Sequence, residues 1–149
     1  LVPDAPDVLT SDSGWNIPEN RDRLLPIIQK LKDNGIRVSL FMDAEPSQMA
    51  LAKEVGADRV ELYTEPYATA FRENQVESVF QQYVLSAKAA QDAGLGVNAG
   101  HDLNLQNLAK FCSIPDILEV SIGHALIAEA LEMGLSATVQ AYLNILKQS

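Results

Sequence analysis

The sequence predicts an α/β fold built on a parallel sheet, and within that class part of a (β/α)8 TIM barrel. Short apolar segments alternate with helix-forming runs along the chain, and such βα repetition calls for parallel strands covered by helices. The apolar segments are too short and too uniformly apolar to be surface hairpins. Polar residues stand at nearly every strand end, at Asp43, Thr64, Glu65, His101, Asp102 and His124. Sites in barrels draw on the ends of several strands, whereas an open doubly wound sheet gathers ligands at one switch point, so this distribution favours the barrel.

Taken in order, Leu1-Val2-Pro3 reads as the tail of a strand cut open, and the sequence is expected to be a fragment or a processed piece. From Asp4 to Asn20 the chain is rich in Asp, Pro, Ser, Gly and Thr, the composition of a loop. Thr10, Ser11, Asp12, Ser13 and Gly14 offer hydroxyls and backbone N–H groups to a ligand; the plainer reading is a solvated loop pinned by Trp15. A helix follows, with Leu24, Leu25, Ile27, Ile28 and Leu31 on one face and a stop at Asn34-Gly35. Pro26 leaves two options, a start near Asp22 or a longer helix kinked at the proline. Ile36 to Met42 is a strand, and Asp43 to Ser47 leads into a helix reaching Val55-Gly56. Arg59 to Thr64 is the next strand and Glu65 to Ala68 a loop. Asn74 to Ala93 is a long helix burying Val76, Val79, Phe80, Tyr83, Val84 and Ala87. Beyond Gly94 come the strand at Val97, a helix over Leu105 to Cys112 and the strand at Val120. Two helices close the chain, His124 to Met133 and Ser136 to Lys147, with Ser136 as N-cap.

Counting the cut strand at Leu1, five strands are expected. A barrel has eight and typically ~250 residues, so roughly 100 residues would precede these. Residues 1–149 are thus expected to be the C-terminal portion of a single TIM-barrel domain whose N-terminal strands are absent.

Composition bounds the function. The 149 residues are 47% hydrophobic and 21% charged, which suits one globular domain with an ordinary core. No apolar run approaches the ~18 residues needed to span a bilayer, so no membrane partner is expected. The net charge of -9, from 11 Lys+Arg against 20 Asp+Glu, argues against a nucleic-acid surface. The single cysteine, Cys112, excludes an internal disulfide, fits a reducing cytoplasm and reads as a core thiol.

Both histidines stand in the same setting. Leu95 to Asn104 is an apolar strand running into Gly100-His101-Asp102, and Leu118 to Leu126 repeats the design with Gly123-His124 before a helix. Two strands ending alike would turn Gly100, His101, Asp102, Gly123 and His124 toward one pocket. An imidazole titrates near neutrality, which suits His101 to repeated proton transfer. Glu61 points away from Val60 and Leu62, into either the barrel interior or the helix layer. In the interior its carboxyl would be desolvated and hold its proton more readily; the alternative is an ion pair with Arg59 or Arg37. Gly123-His124 at a helix start can offer free N–H groups to a phosphate with no Lys or Arg nearby. The two histidines and Asp102 lack a third close ligand at a recognised spacing, so no metal site is expected.

Several of these segments, in order, resemble one enzyme family. Leu1-Val-Pro3 with Thr10, Val38-Ser-Leu-Phe41, Val55-Gly-Ala57 with Glu61 and Tyr67-Ala68, Val97-Asn-Ala-Gly-His101 and Ser121-Ile-Gly-His124 together look like the pyridoxine 5'-phosphate synthases of vitamin B6 biosynthesis. The short motifs are weak singly and specific in their joint order and spacing. The resemblance implies a (β/α)8 barrel, a homo-oligomer of the cytoplasm, that condenses 3-amino-2-oxopropyl phosphate with 1-deoxy-D-xylulose 5-phosphate into pyridoxine 5'-phosphate, phosphate and water. No metal or organic cofactor is implied.

Carried over by residue, His101 matches the family's general acid and Glu61 a carboxyl that stabilises the transition state. Thr10 matches a contact to the xylulose phosphate. Asp102 and Gly123-His124 match positions that hold the amino-ketone phosphate, and some relatives carry Gly at the Asp102 position. The family's further His, Glu and phosphate-binding arginines belong to the first barrel strands and have no match here. The other reading is a catalytically silent barrel fragment that binds a phosphorylated metabolite or serves as an oligomer scaffold.

Overall fold

The computed structural model describes residues 1–4 and 7–147. Ala5 and Pro6, which belong to the loop expected over Asp4 to Asn20, lie outside the described residues. Four strands form one parallel sheet in the order β1-β2-β3-β4: β1 (Ser39–Met42), β2 (Arg59–Tyr63), β3 (Gly96–Gly100) and β4 (Ile117–Ser121). Strand order follows chain order without the reversal that defines a doubly wound sheet, and this is the sequence of strands in a barrel wall. The chain therefore has the α/β architecture of a partial TIM barrel.

The fifth strand expected at Leu1 is reduced to a single pairing residue. The Leu1 amine donates to Ser39 O at 2.7 Å, and Phe41 N–H donates to Leu1 O at 3.0 Å, so Leu1 sits along the outer edge of β1. The loop after it is pinned as the plainer reading required. Trp15 is buried, its indole N–H donates to Leu1 O and its backbone N–H to Phe41 O. Gly14 lies so close to β1 that a β-carbon there would overlap the backbone of Met42 and Asp43.

Helices occupy every crossover: α1 (Ile17–Asp33) leads into β1, α2 (Pro46–Glu54) joins β1 to β2, α3 (Glu65–Arg72) and α4 (Val76–Asp92) join β2 to β3, and α5 (Leu108–Phe111) joins β3 to β4. Both α1 and α2 carry proline in the first turn, where its missing N–H is not needed. α1 is the long option and continues through Pro26. Glu65 to Ala68, expected as a loop, is the first turn of α3, and Pro66 fits there for the same reason. The chain ends with α6 (His124–Met133) and α7 (Leu135–Leu146); Gly134 rather than Ser136 stands at the N-cap of α7.

The core lies between the sheet and the helices. Leu40, Met42, Val60, Leu62, Val97 and Ala99 point one way and pack against Leu24, Ile28, Met49, Ala52, Tyr83 and Ala87. Cys112 is part of this core. The alternate residues of the strands, Phe41, Arg59, Glu61, Tyr63, Asn98 and Glu119, take the opposite face, as the period of two requires. That face would be the interior of a barrel. Arg59 donates to Asn98 Oδ1 at 3.0 Å and to Glu119 Oε1 at 2.6 Å, and Arg37 reaches the same Glu119 oxygen at 3.3 Å. Among the described residues no helix is long and apolar enough to cross a membrane.

Candidate active site

The polar face converges on the ends of β2 and β3. His101 leaves β3 with φ of 85° and Asp102 follows with φ of 56°, both in the left-handed region that side chains other than glycine seldom adopt. This turn directs the His101 imidazole back over the sheet, where its ring centroid lies 5.3 Å from those of both Phe41 and Tyr63. Thr10 Oγ1 approaches His101 Nε2 at 3.4 Å. Two residues 91 apart in sequence are thereby joined. The other loop hydroxyls are engaged elsewhere, Ser11 with Asp4 Oδ2 and Ser13 with Asp12 Oδ1, while Gly14 N–H donates to Asp43.

Glu61 belongs to the same group. A β-carbon built on Gly100 would overlap Glu61 Oε1, so the space that glycine leaves empty is where the carboxyl rests. Burial raises the Glu61 pKa above the ordinary carboxylate value, and the charges of His101 and the Leu1 amine offset part of that rise. A partly buried carboxyl with a raised pKa on the same face as an imidazole offers two groups suited to proton donation and acceptance. The ion pair considered for Glu61 is not formed: Arg59 and Arg37 bond to Glu119 instead. Arg59 and Glu61 share a face but sit one strand period apart, and Arg59 reaches across β3 to β4 rather than along its own strand.

Asp102 and His124 line a neighbouring hollow of about 540 Å³, together with Glu65, Arg72, Asn104 and Ala125. Gly123 is the N-cap of α6, with no side chain capping the first-turn N–H groups. Asp102 is exposed and its carbonyl accepts a hydrogen bond from Asn107 Nδ2 at 3.1 Å. Its left-handed backbone, with φ of 56°, is one that glycine adopts freely. Arg72 corrects the expectation that no basic side chain is near. It stands in the last turn of α3, a helix whose first turn reads as loop in the sequence, and nothing in the sequence ties it to His124. Among the described residues no group of three or more His, Cys, Asp or Glu side chains is placed to hold a metal ion.

Residues 1–148 match the family described as "Pyridoxal phosphate biosynthesis protein PdxJ". Relatives named pyridoxine 5'-phosphate synthase include one from Albidiferax ferrireducens, 57% identical over 149 residues, covering 99% of this chain and 59% of the relative. Another, from Porphyromonas gingivalis, is 49% identical over 143 residues, covering 95% of this chain and 60% of the relative. A third, from Xanthomonas campestris, is 51% identical over 147 residues, covering 98% and 57%. The chain spans about three fifths of the length of the curated relatives it matches.

Proposed function

Because the chain belongs to the PdxJ family of pyridoxal phosphate biosynthesis proteins, we propose that it supplies the later strands of a pyridoxine 5'-phosphate synthase barrel. In this reading the complete enzyme condenses 3-amino-2-oxopropyl phosphate with 1-deoxy-D-xylulose 5-phosphate to pyridoxine 5'-phosphate, phosphate and water. The observation that carries it is the meeting of His101, Glu61 and Thr10 over the ends of β2 and β3.

Each residue then has a role its surroundings suit. Ring closure must protonate departing hydroxyls, and His101 is the donor, held against Phe41 and Tyr63 with one ring nitrogen facing Thr10. Glu61, whose burial favours the protonated form, donates a hydrogen bond to oxygen that gains charge as bonds rearrange. Thr10 contacts the xylulose phosphate. The amino-ketone phosphate occupies the hollow of Asp102 and His124, its phosphate on the N–H groups at Gly123-His124 and within the reach of Arg72. The remaining barrel strands pair beyond Leu1, which lies along β1, and along the edge of β4, and bring the rest of the active site. The same reading makes the enzyme a homo-oligomer of the cytoplasm, with small phosphorylated metabolites as its ligands and no resident cofactor.

The test is a product assay with both substrates on this chain alone and on this chain mixed with the portion of the Albidiferax relative that it does not cover. The expected result is no pyridoxine 5'-phosphate from the chain alone and product from the mixture. Full turnover by a monomer of these 149 residues would overturn the partial-barrel reading. A mixture that docks and yet forms no product would favour the silent fragment.

A further inference from the structure

Thr64 follows β2 directly and occupies the N-cap position of α3, where a threonine hydroxyl ordinarily accepts a hydrogen bond from the helix's first-turn N–H groups. Here it makes no such cap bond. The side chain is fully buried, and its hydroxyl is turned toward β3, donating to Gly100 O at 2.7 Å and also lying within bonding distance of His101 O. The Thr64 backbone N–H donates to the same Gly100 oxygen at 2.9 Å. One residue thus engages both carbonyls that flank the turn into the left-handed stretch at His101 and Asp102.

That stretch needs holding. A left-handed backbone is costly for any residue other than glycine, and two such residues in succession persist only where their surroundings fix them. Asp102 has its own partner in Asn107, whereas the His101 carbonyl is met by Thr64.

On the reading that His101 is the proton donor, we infer that Thr64 is a positioning residue: its buried hydroxyl gives up capping α3 to lock the backbone of Gly100 and His101, and so aims the imidazole at Thr10 and Glu61. Thr64 touches no reacting atom. Its effect passes through the conformation of His101.

The ring contacts of His101 provide a readout independent of activity. Protons of an imidazole 5.3 Å from two aromatic rings carry ring-current shifts, and the chain has only two histidines, His124 serving as internal control. With isotope-labelled histidine in this chain only, NMR spectra are compared for the parent, Thr64→Val and Thr64→Ser, each with the unlabelled remainder of the barrel added. The valine keeps the shape and loses the donor; the serine keeps the donor. In Thr64→Val the His101 ring signals should move toward those of a free imidazole while His124 stays in place, and Thr64→Ser should resemble the parent. Turnover of the mixture should fall at least tenfold in the valine variant and stay within a few-fold in the serine variant. Unmoved His101 signals in Thr64→Val would overturn the inference. So would Thr64→Ser shifted away from the parent, a comparison that decides the matter even if the valine variant does not fold. Should the mixture make no product at all, the proposed reaction fails while the NMR comparison still reports whether Thr64 holds His101.

Discussion

The two ends of the sheet treat their apolar residues in opposite ways. Around β1, β2 and β3 every helix-facing strand residue is buried, and Tyr67 of α3 is enclosed by Phe71, Phe80, Tyr83 and Phe111 with its hydroxyl donating to Asn107 O. At β4 no residue is fully buried, and α6 buries none either, although Ala125, Leu126, Ile127, Ala130 and Leu131 recur at helical spacing. Leu131 is 85% exposed, and Ile127, Met133, Leu135 and Leu143 are exposed as well. α7 buries only Thr138 and Tyr142. The lesson is that an apolar stripe states that a helix has a face to cover without stating what covers it.

The widest separation between the two regions is expected from truncating their large side chains. Tyr67→Ala should cost about 3–5 kcal/mol, as for other aromatic residues removed from a core. Leu131→Ala should change stability by less than about 0.5 kcal/mol, since a side chain already in water has little burial to lose. Denaturant midpoints of the two variants test the comparison directly. A Leu131→Ala cost near that of Tyr67→Ala would mean that α6 is covered in solution and would erase the difference.

Glu61 sharpens the comparison because it stands on the face shared by both regions. Its pKa is raised by burial, so the folded chain takes up this proton before the unfolded chain does. The favourable contribution is therefore complete below the ordinary glutamate pKa and is lost as pH rises through the raised value. Glu61→Gln removes that dependence. The variant should gain stability relative to the parent on going from acid to neutral pH, by less than about 1 kcal/mol because solvent still reaches the carboxyl. Thermal melts across that range measure it. A relative loss of stability toward neutral pH would contradict the sign.

Sequence periodicity made the βα order, the bounds of α6 and the burial of Tyr83 and Ala87 legible, because each depends on local pattern. The first turn of α3 reads as loop in the sequence because proline marks both a loop and a helix start, and Glu65-Pro66 here is the latter. Long-range partners were less accessible. Arg59 lies two residues from Glu61 and bonds to Glu119, 60 residues away, because the sheet sets β4 within its reach. The candidate site residues stood out through glycine and histidine at strand ends, and the family resemblance grouped them. Arg72 carried no such signal, since only the fold of α3 brings it to the hollow lined by His124, and Thr64 stood out only as a polar strand end, with nothing to show that its hydroxyl turns to β3.

His101→Asn tests most directly the proposal that the packed half carries a proton donor at the end of β3. Asparagine keeps a side chain able to hydrogen-bond and tolerates a left-handed backbone, so the fold should persist. In the chain completed with the remainder of the barrel, turnover should fall by about 10²–10⁴-fold, the usual contribution of a general acid. Turnover within a few-fold of the parent would remove His101 from the chemistry.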